Sequence, residues 1–184
     1  MPAWVSHLIF LPTLTWNMLL GRWLKVRRWW DRVDDHVILG ALPFARDVQR
    51  MKADGVTHVI NTCEEYPGPQ SSYDDAGITQ LRLPTVDFNH PSLTNVEQGV
   101  EFIQQAASED GTVYVHCKAG RARSATIVIC WLMKSEGLSP QAAQQKILDC
   151  RPHANPKLDQ RPVVQEFYRL HCREGEAPAE PIGG

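Results

Sequence analysis

The chain has 184 residues, 43% hydrophobic and 22% charged, with a formal net charge of −2, which fits one globular domain with short appendages and excludes a disordered or fibrous protein. The near-neutral total hides an asymmetry. The first 30 residues hold five of the six tryptophans (Trp4, Trp16, Trp23, Trp29, Trp30) and the cations Arg22, Lys25, Arg27 and Arg28 without one acid, so a +4 leader precedes a −6 body. Five cysteines with no C-x-x-C pair argue against a zinc knuckle or a disulfide framework and for a reducing compartment.

Residues 1–33 read as a membrane-interacting leader. The run from Trp4 to Leu20 is mostly apolar but is interrupted by Ser6, His7, Pro12, Thr13, Thr15 and Asn17, short of the ~20 apolar residues of a clean spanning helix. Its positive charges follow the apolar run, the reverse of a secretory signal. In helical projection from Leu14 to Trp30, Trp16, Leu19, Leu20, Trp23, Leu24, Val26 and Trp30 share a face opposite Arg22, Lys25 and Arg28. Rings and cations together suit a lipid headgroup layer. Interfacial attachment is favoured, with a short anchor that leaves the domain cytoplasmic, or packing on the domain, as alternatives.

From Asp34 the pattern turns α/β. A short strand around His36 to Leu39 leads to a helix from Ala45 to Ala53, closed by Gly55. Thr57 to Thr62 and Thr79 to Leu83 read as strands, with loops at Glu64 to Gly77 and Pro84 to Ser92. Asn95 to Ala107 has helical spacing, Thr112 to His116 is β-rich, and Ser124 to Ser135 is an apolar helix. Ser139 and Pro140 open a helix to about Cys150, and a last one runs from about Gln160 to His171. The expected fold is α/β, a mostly parallel central sheet of about four or five strands flanked by helices, spanning 34–172. The Pro, Gly and Glu of residues 173–184 predict a disordered tail.

One segment carries chemistry. Tyr114 to Ser124 runs strand, loop, helix, with Cys117 and Arg123 in the form Cys-x5-Arg followed by Ser124. A loop tightening into a helix N-terminus turns successive backbone N–H groups inward as a nest for a phosphate dianion. The variable positions Lys118, Ala119, Arg121 and Ala122 line that cradle, Gly120 permits its turn, and Arg123 can grip two phosphate oxygens in its planar fork. The same field lowers a thiol pKa, so Cys117 is placed as a nucleophile at phosphorus. Cys130 and Cys150 read as core, and Cys63 and Cys172 have no constellation around them. An alkoxide leaving group needs a general acid.

His116-Cys117-x5-Arg123-Ser124 resembles the signature of the protein tyrosine phosphatase superfamily, and the small size resembles its dual-specificity branch. Cys63-Glu64-Glu65-Tyr66, Leu83-x-Thr-Val-Asp87 and the run Arg151 to Tyr168 are similar to the mitochondrial-type phosphatidylglycerophosphate phosphatases and their bacterial relatives, over roughly residues 34 to 171. The resemblance implies a Cys-x5-Arg phosphatase fold with Cys117 as nucleophile, Arg123 as phosphate binder and Asp87 as mobile general acid. It implies that His116 orients the loop and supports the thiolate, and that Ser124 eases breakdown of the phosphocysteine. Glu64 and Glu65 would shape the pocket rim, although Pro67 stands where these relatives carry another Glu, and Gln160 would sit near the water site.

Lys118 and Arg121 favour a substrate with more negative charge than one phosphomonoester, and the leader would supply proximity to a lipid. Together they point to dephosphorylation of phosphatidylglycerophosphate to phosphatidylglycerol in phospholipid synthesis, on the cytoplasmic face of a bacterial inner membrane or at a mitochondrial inner membrane. The expected partners are an anionic phospholipid and its membrane surface, with no nucleic acid, cofactor or metal. A dual-specificity protein phosphatase, a phosphoinositide phosphatase and a phosphoanion-binding membrane module are the alternatives.

Overall fold

The computed structural model describes residues 27–172 together with Pro12, Leu14, Thr15, Trp16 and Met18. A five-stranded sheet, in the order β1-β2-β5-β3-β4, carries the fold. Its strands are β1 (Trp30–Arg32), β2 (Val37–Gly40), β3 (Val56–Cys63), β4 (Thr79–Thr85) and β5 (Thr112–His116), all parallel to their neighbours except the edge strand β1. The helices are α1 (Val48–Ala53), entered through a 3-10 turn at Ala45–Asp47, then α2 (Gln70–Ala76), α3 (Leu93–Ser108), α4 (Arg123–Glu136), α5 (Pro140–Cys150) and α6 (Pro162–His171).

The sheet is covered on both faces, which is why the central strands read as unbroken apolar runs. On one side Leu39, Ile60, Val113 and Val115 pack with α3 to α6, and on the other Ile38, Val59 and Tyr114 pack with α1 and α2. Ser92 and Ser139 cap α3 and α5 by accepting from Asn95 N and Ala142 N, both at 3.2 Å. Helix α4 is buried over nearly its whole length, from Arg123 to Met133. It is the mast on which the reactive loop is mounted.

Three expectations change. The leader does not extend to residue 33: Trp30–Arg32 pairs with β2 in the register Trp30 to Gly40, Asp31 to Leu39 and Arg32 to Ile38. Trp30 stands edge-on to Tyr114 with centroids 5.7 Å apart and interplanar angle 87°, so this tryptophan serves the core. Arg27 to Trp29 are not helical, so the projected amphipathic helix does not run through them to Trp30. The rest of residues 1–33, apart from the five named above, and the tail 173–184 lie outside the described residues. Second, the expected loop Glu64 to Gly77 contains α2, closed by Gly77 in the left-handed region at φ 66 and anchored by fully buried Tyr73. Third, β4 continues through Pro84, which sheet-edge position allows because the outer side needs no donor.

Candidate active site

Strand β5 ends at His116, α4 starts at Arg123, and the six residues between wrap into a cup. The five carbonyls from Lys118 to Ala122 are engaged on the outside. Lys118 O accepts from Leu42 N (3.4 Å), Arg121 O from Asn155 N (2.8 Å) and Ala122 O from Thr126 N (3.0 Å). Ala119 O and Gly120 O accept from Arg151 Nη2 (3.0 Å) and Nε (2.7 Å). With five successive carbonyls turned outward, the intervening amides face the cup, and those of Arg121 and Ser124 reach the Cys117 sulfur. Gly120 is required twice over: its φ is +63, and a Cβ there would stand 2.3 Å from Gly40 O.

Arg151 is the fastening. It is 1% exposed, and its Nη1 pairs with Asp31 Oδ2 at 2.6 Å. Asp31 also holds Arg28 Nε at 2.6 Å. Edge strand β1, which the composition assigned to a leader, therefore anchors the reactive loop.

Cys117 lies at the bottom of the cup, 3% exposed. Burial opposes its ionisation, yet the Arg123 charge, the Ser124 hydroxyl at 3.3 Å from Sγ and the amides of Ser124 and Arg121 outweigh it and pull the thiol down to about 6. It is a thiolate at neutral pH. Arg123, 2% exposed, is fixed by Glu65 Oε2 at 2.9 Å and Thr85 O at 2.7 Å through Nη1, while Nη2 lies 3.1 Å from Asp87 Oδ1. Burial works against this guanidinium, but Cys117, Asp87 and Glu65 hold it charged. Asp87 follows β4, its carboxylate 13% exposed, and its second oxygen takes Lys118 Nζ. The next residue, Phe88, is strained at φ 67 and 60% exposed beside the mouth.

These groups share a cleft of about 580 Å³ lined by Asp87, Phe88, Cys117, Lys118, Ala119, Arg121, Ala122 and Arg123, and also by Trp16, Arg27, Asn155, Lys157 and Arg161. A thiolate beside an arginine fork, with the Asp87 carboxyl group against the same arginine, is equipped to displace an oxygen leaving group from phosphorus and to exchange a proton with it. Residues 37–169 match the model of the dual specificity phosphatase catalytic domain.

The chain belongs to the dual specificity phosphatase family.

It is a cysteine-dependent phosphatase of that family. It is 39% identical over 175 residues to phosphatidylglycerophosphate phosphatase PTPMT2 of Arabidopsis thaliana, covering 94% of this chain and 77% of that one. It is 35% identical to human phosphatidylglycerophosphatase and protein-tyrosine phosphatase 1, covering 91% and 88%. Among solved structures, PTPMT1 in complex with PI(5)P superposes with a TM-score of 0.71 at 37% identity, over 77% of this chain and 96% of that one.

Of the sequence-predicted residues, Cys117, Lys118, Ala119, Arg121, Ala122, Arg123 and Asp87 converge on the cleft of this phosphatase, with Ser124 and Gly120 supporting them from behind. Glu64, Glu65 and Gln160 are placed otherwise than expected, and His116 is neutral. His116 is fully buried, and burial, then the Arg123 charge, push its pKa to about 3 against the Cys117 backbone. It is a neutral ring tilted on Tyr114 at 5.9 Å, so it gives the thiolate no charge. Glu64 is exposed and outside the cleft lining. Glu65 is not at the rim but beneath it, its side chain 1% exposed against Arg123. Its neighbour Tyr66 donates to Pro43 O at 2.7 Å. Gln160 is exposed and does not line the cleft; its neighbour Arg161 does.

Sequence reasoning missed Arg151, Arg161, Lys157 and the packing of Cys63. Cys63 shares a buried cluster with Cys117 and Leu42, and burial holds its thiol far above the ordinary range, so it is protonated beside an ionised neighbour. Arg151 follows α5, whose sequence PQAAQQKILDC mixes polar and apolar residues, so nothing local marked it.

Proposed function

We propose that the chain hydrolyses the terminal phosphomonoester of phosphatidylglycerophosphate, giving phosphatidylglycerol and inorganic phosphate. The observation that carries this reading is the balance of the cleft walls among the described residues: Arg27, Lys118, Arg121, Arg123, Lys157 and Arg161 against the carboxylate of Asp87, with Trp16 and Phe88, both 60% exposed, among the lining residues. Cations with exposed rings suit an anionic lipid better than a phosphorylated peptide. The names of the two relatives above both include this lipid activity, the human one beside protein-tyrosine phosphatase.

The Cys117 thiolate attacks phosphorus, the bond to the glycerol oxygen breaks, and Asp87 gives that oxygen its proton. The three remaining phosphoryl oxygens lie against the loop amides and the Arg123 fork. Water then attacks the phosphocysteine, Asp87 takes the water's proton, and the S–P bond breaks to return the thiolate and release phosphate. Both halves of the cycle use the same carboxylate in opposite protonation states.

This reading puts the domain against an anionic membrane surface, on the cytoplasmic side of a bacterial inner membrane or at a mitochondrial inner membrane, with the lipid as its partner. Among the described residues no helix is long and apolar enough to cross a membrane. The test is a side-by-side measurement of kcat/KM on phosphatidylglycerophosphate, a phosphoinositide and a phosphotyrosine peptide, the lipids in mixed vesicles. Phosphatidylglycerophosphate is expected to lead; a lead for the peptide would replace this proposal with a protein phosphatase.

A further inference from the structure

The buried cations of the site come with carboxylates, with one exception. Arg123 has Glu65 and Asp87, Lys118 has Asp87, and Arg151 has Asp31. Arg161, half-buried at the entrance to α6, has no carboxylate within ion-pair distance among the described residues. It is nonetheless held in place: Nη1 donates to Thr126 Oγ1 at 2.6 Å and to Ala122 O at 3.4 Å, which fixes the guanidinium beside the last residue of the reactive loop. Burial works against its charge, and the Cys117 thiolate, across the same cleft, works for it.

A partly desolvated guanidinium without a counter-charge is unfavourable in the empty protein, and its charge is satisfied when an anion arrives. The terminal phosphate does not fill that role, because the cradle amides and Arg123 already meet its oxygens. The two cations that the sequence offered for extra negative charge are occupied otherwise, Lys118 with Asp87 and Arg121, exposed, donating from Nε to His153 O at 2.6 Å. Arg27 and Lys157 line the cleft with Arg161, and neither forms an ion pair with a described carboxylate. Arg27 lies close enough to Arg121 and His153 to disfavour their charged forms, so this wall carries an excess of positive charge.

We propose that Arg161, with Arg27 and Lys157 beside it, forms a second anion site that holds another phosphate of the same substrate, the phosphodiester linking the headgroup to the lipid glycerol, while the loop holds the terminal monoester. The assignment rests on the lipid-phosphate reading above and adds to it a specificity-determining residue. The Arg161 fork suits a diester, whose two non-bridging oxygens match paired N–H donors. Binding at two points also fixes the direction in which the leaving glycerol oxygen faces Asp87.

The experiment uses water-soluble probes, so membrane attachment does not enter. On the full chain, the deacylated headgroup glycerophosphoryl-glycerol phosphate, with two phosphates, is compared with glycerol 3-phosphate, with one. In the parent protein the two-phosphate probe is expected to compete with an aryl phosphate at least ~10-fold more tightly, the worth of a charge-assisted contact. Arg161→Met is expected to lower the ratio of kcat/KM for the two probes ~10- to 100-fold, chiefly through KM, and Arg161→Lys to restore most of it. Equal competition by the two probes in the parent, a measurement that needs no variant to fold, overturns the second site. So does a ratio in a folded Arg161→Met protein within about twofold of the parent. Tight headgroup competition in a protein inactive on vesicle phosphatidylglycerophosphate would refute the proposed lipid activity and leave the site standing; lipid turnover with equal competition would do the reverse.

Discussion

Among the described residues the Ser124 hydroxyl is the one side-chain donor to the Cys117 sulfur, at 3.3 Å, and removing it gives a worked prediction. A hydrogen bond to a charged group is worth ~1.5–3 kcal/mol, and 1.36 kcal/mol corresponds to one pKa unit, so Ser124→Ala should raise the thiol from about 6 to roughly 7–8. The Arg123 charge and the two loop amides remain, which keeps the thiol below the ordinary cysteine value. The thiolate is the reactive form, so reactivity rises as pH climbs through the pKa, and the variant's curve moves to higher pH. At pH 6.5 the ionised fraction should fall roughly 3- to 25-fold. The assay is the pH dependence of iodoacetamide alkylation at Cys117, read by mass spectrometry of the labelled peptide, which reports the thiol without any substrate. A midpoint that stays within about 0.3 of the parent's would mean that the hydroxyl does not stabilise the thiolate, and the account of how this loop lowers the pKa would fail.

Gly120→Ala places a methyl into Gly40 O at a residue with φ +63, and kcat/KM on an aryl phosphate should fall ~100-fold or more, since displacement of the cradle by an ångström misplaces every donor. Arg151→Met leaves buried Asp31 with only Arg28 and releases two loop carbonyls. Thermal or urea unfolding should show a loss of ~3–5 kcal/mol, and a second change, Asp31→Asn, should recover part of it, the signature of coupling in a double-mutant cycle. Asp87→Asn should lower turnover of an alkyl phosphate by ~10²- to 10⁴-fold while sparing an activated aryl phosphate whose leaving group needs no proton, and equal losses would assign the acid elsewhere.

The reactive loop was legible because it is contiguous: Cys117, Gly120, Arg123 and Ser124 sit in one stretch at a strand-to-helix switch. Asp87 was legible as a candidate acid on a loop after a strand, within a segment similar to a known family, and its carboxylate meets Arg123 and Lys118. What stayed hidden depends on pairing across long distances in the chain. Glu65 and Arg123 are 58 positions apart, and Asp31 and Arg151 are 120 apart; nothing local in either segment announces its partner. Strand β1 was hidden for another reason. Three residues are too few to display an alternating pattern, and Trp29 and Trp30 beside Arg27 and Arg28 have the composition of a membrane interface. The structure gives Trp30 and Asp31 to the core and the loop fastening, and gives Arg27 to the cleft. Helix α2 was masked by Pro67, Gly68, Pro69 and the Ser pair, whose turn propensity is overridden by the burial of one residue, Tyr73. His116 shows a limit of another kind: residue identity does not give charge state, and full burial beside Arg123 keeps the ring neutral.

The central claim, that Cys117 takes the terminal phosphoryl group from phosphatidylglycerophosphate, is tested most directly by trapping that group. Ser124→Ala should slow release of phosphate from the sulfur, so a rapid-quench experiment with vesicle-borne substrate labelled in the terminal phosphate should place label on the peptide containing Cys117, in a burst that matches the enzyme concentration. No label on that peptide while phosphatidylglycerol still accumulates, or label on any other residue, would contradict the account.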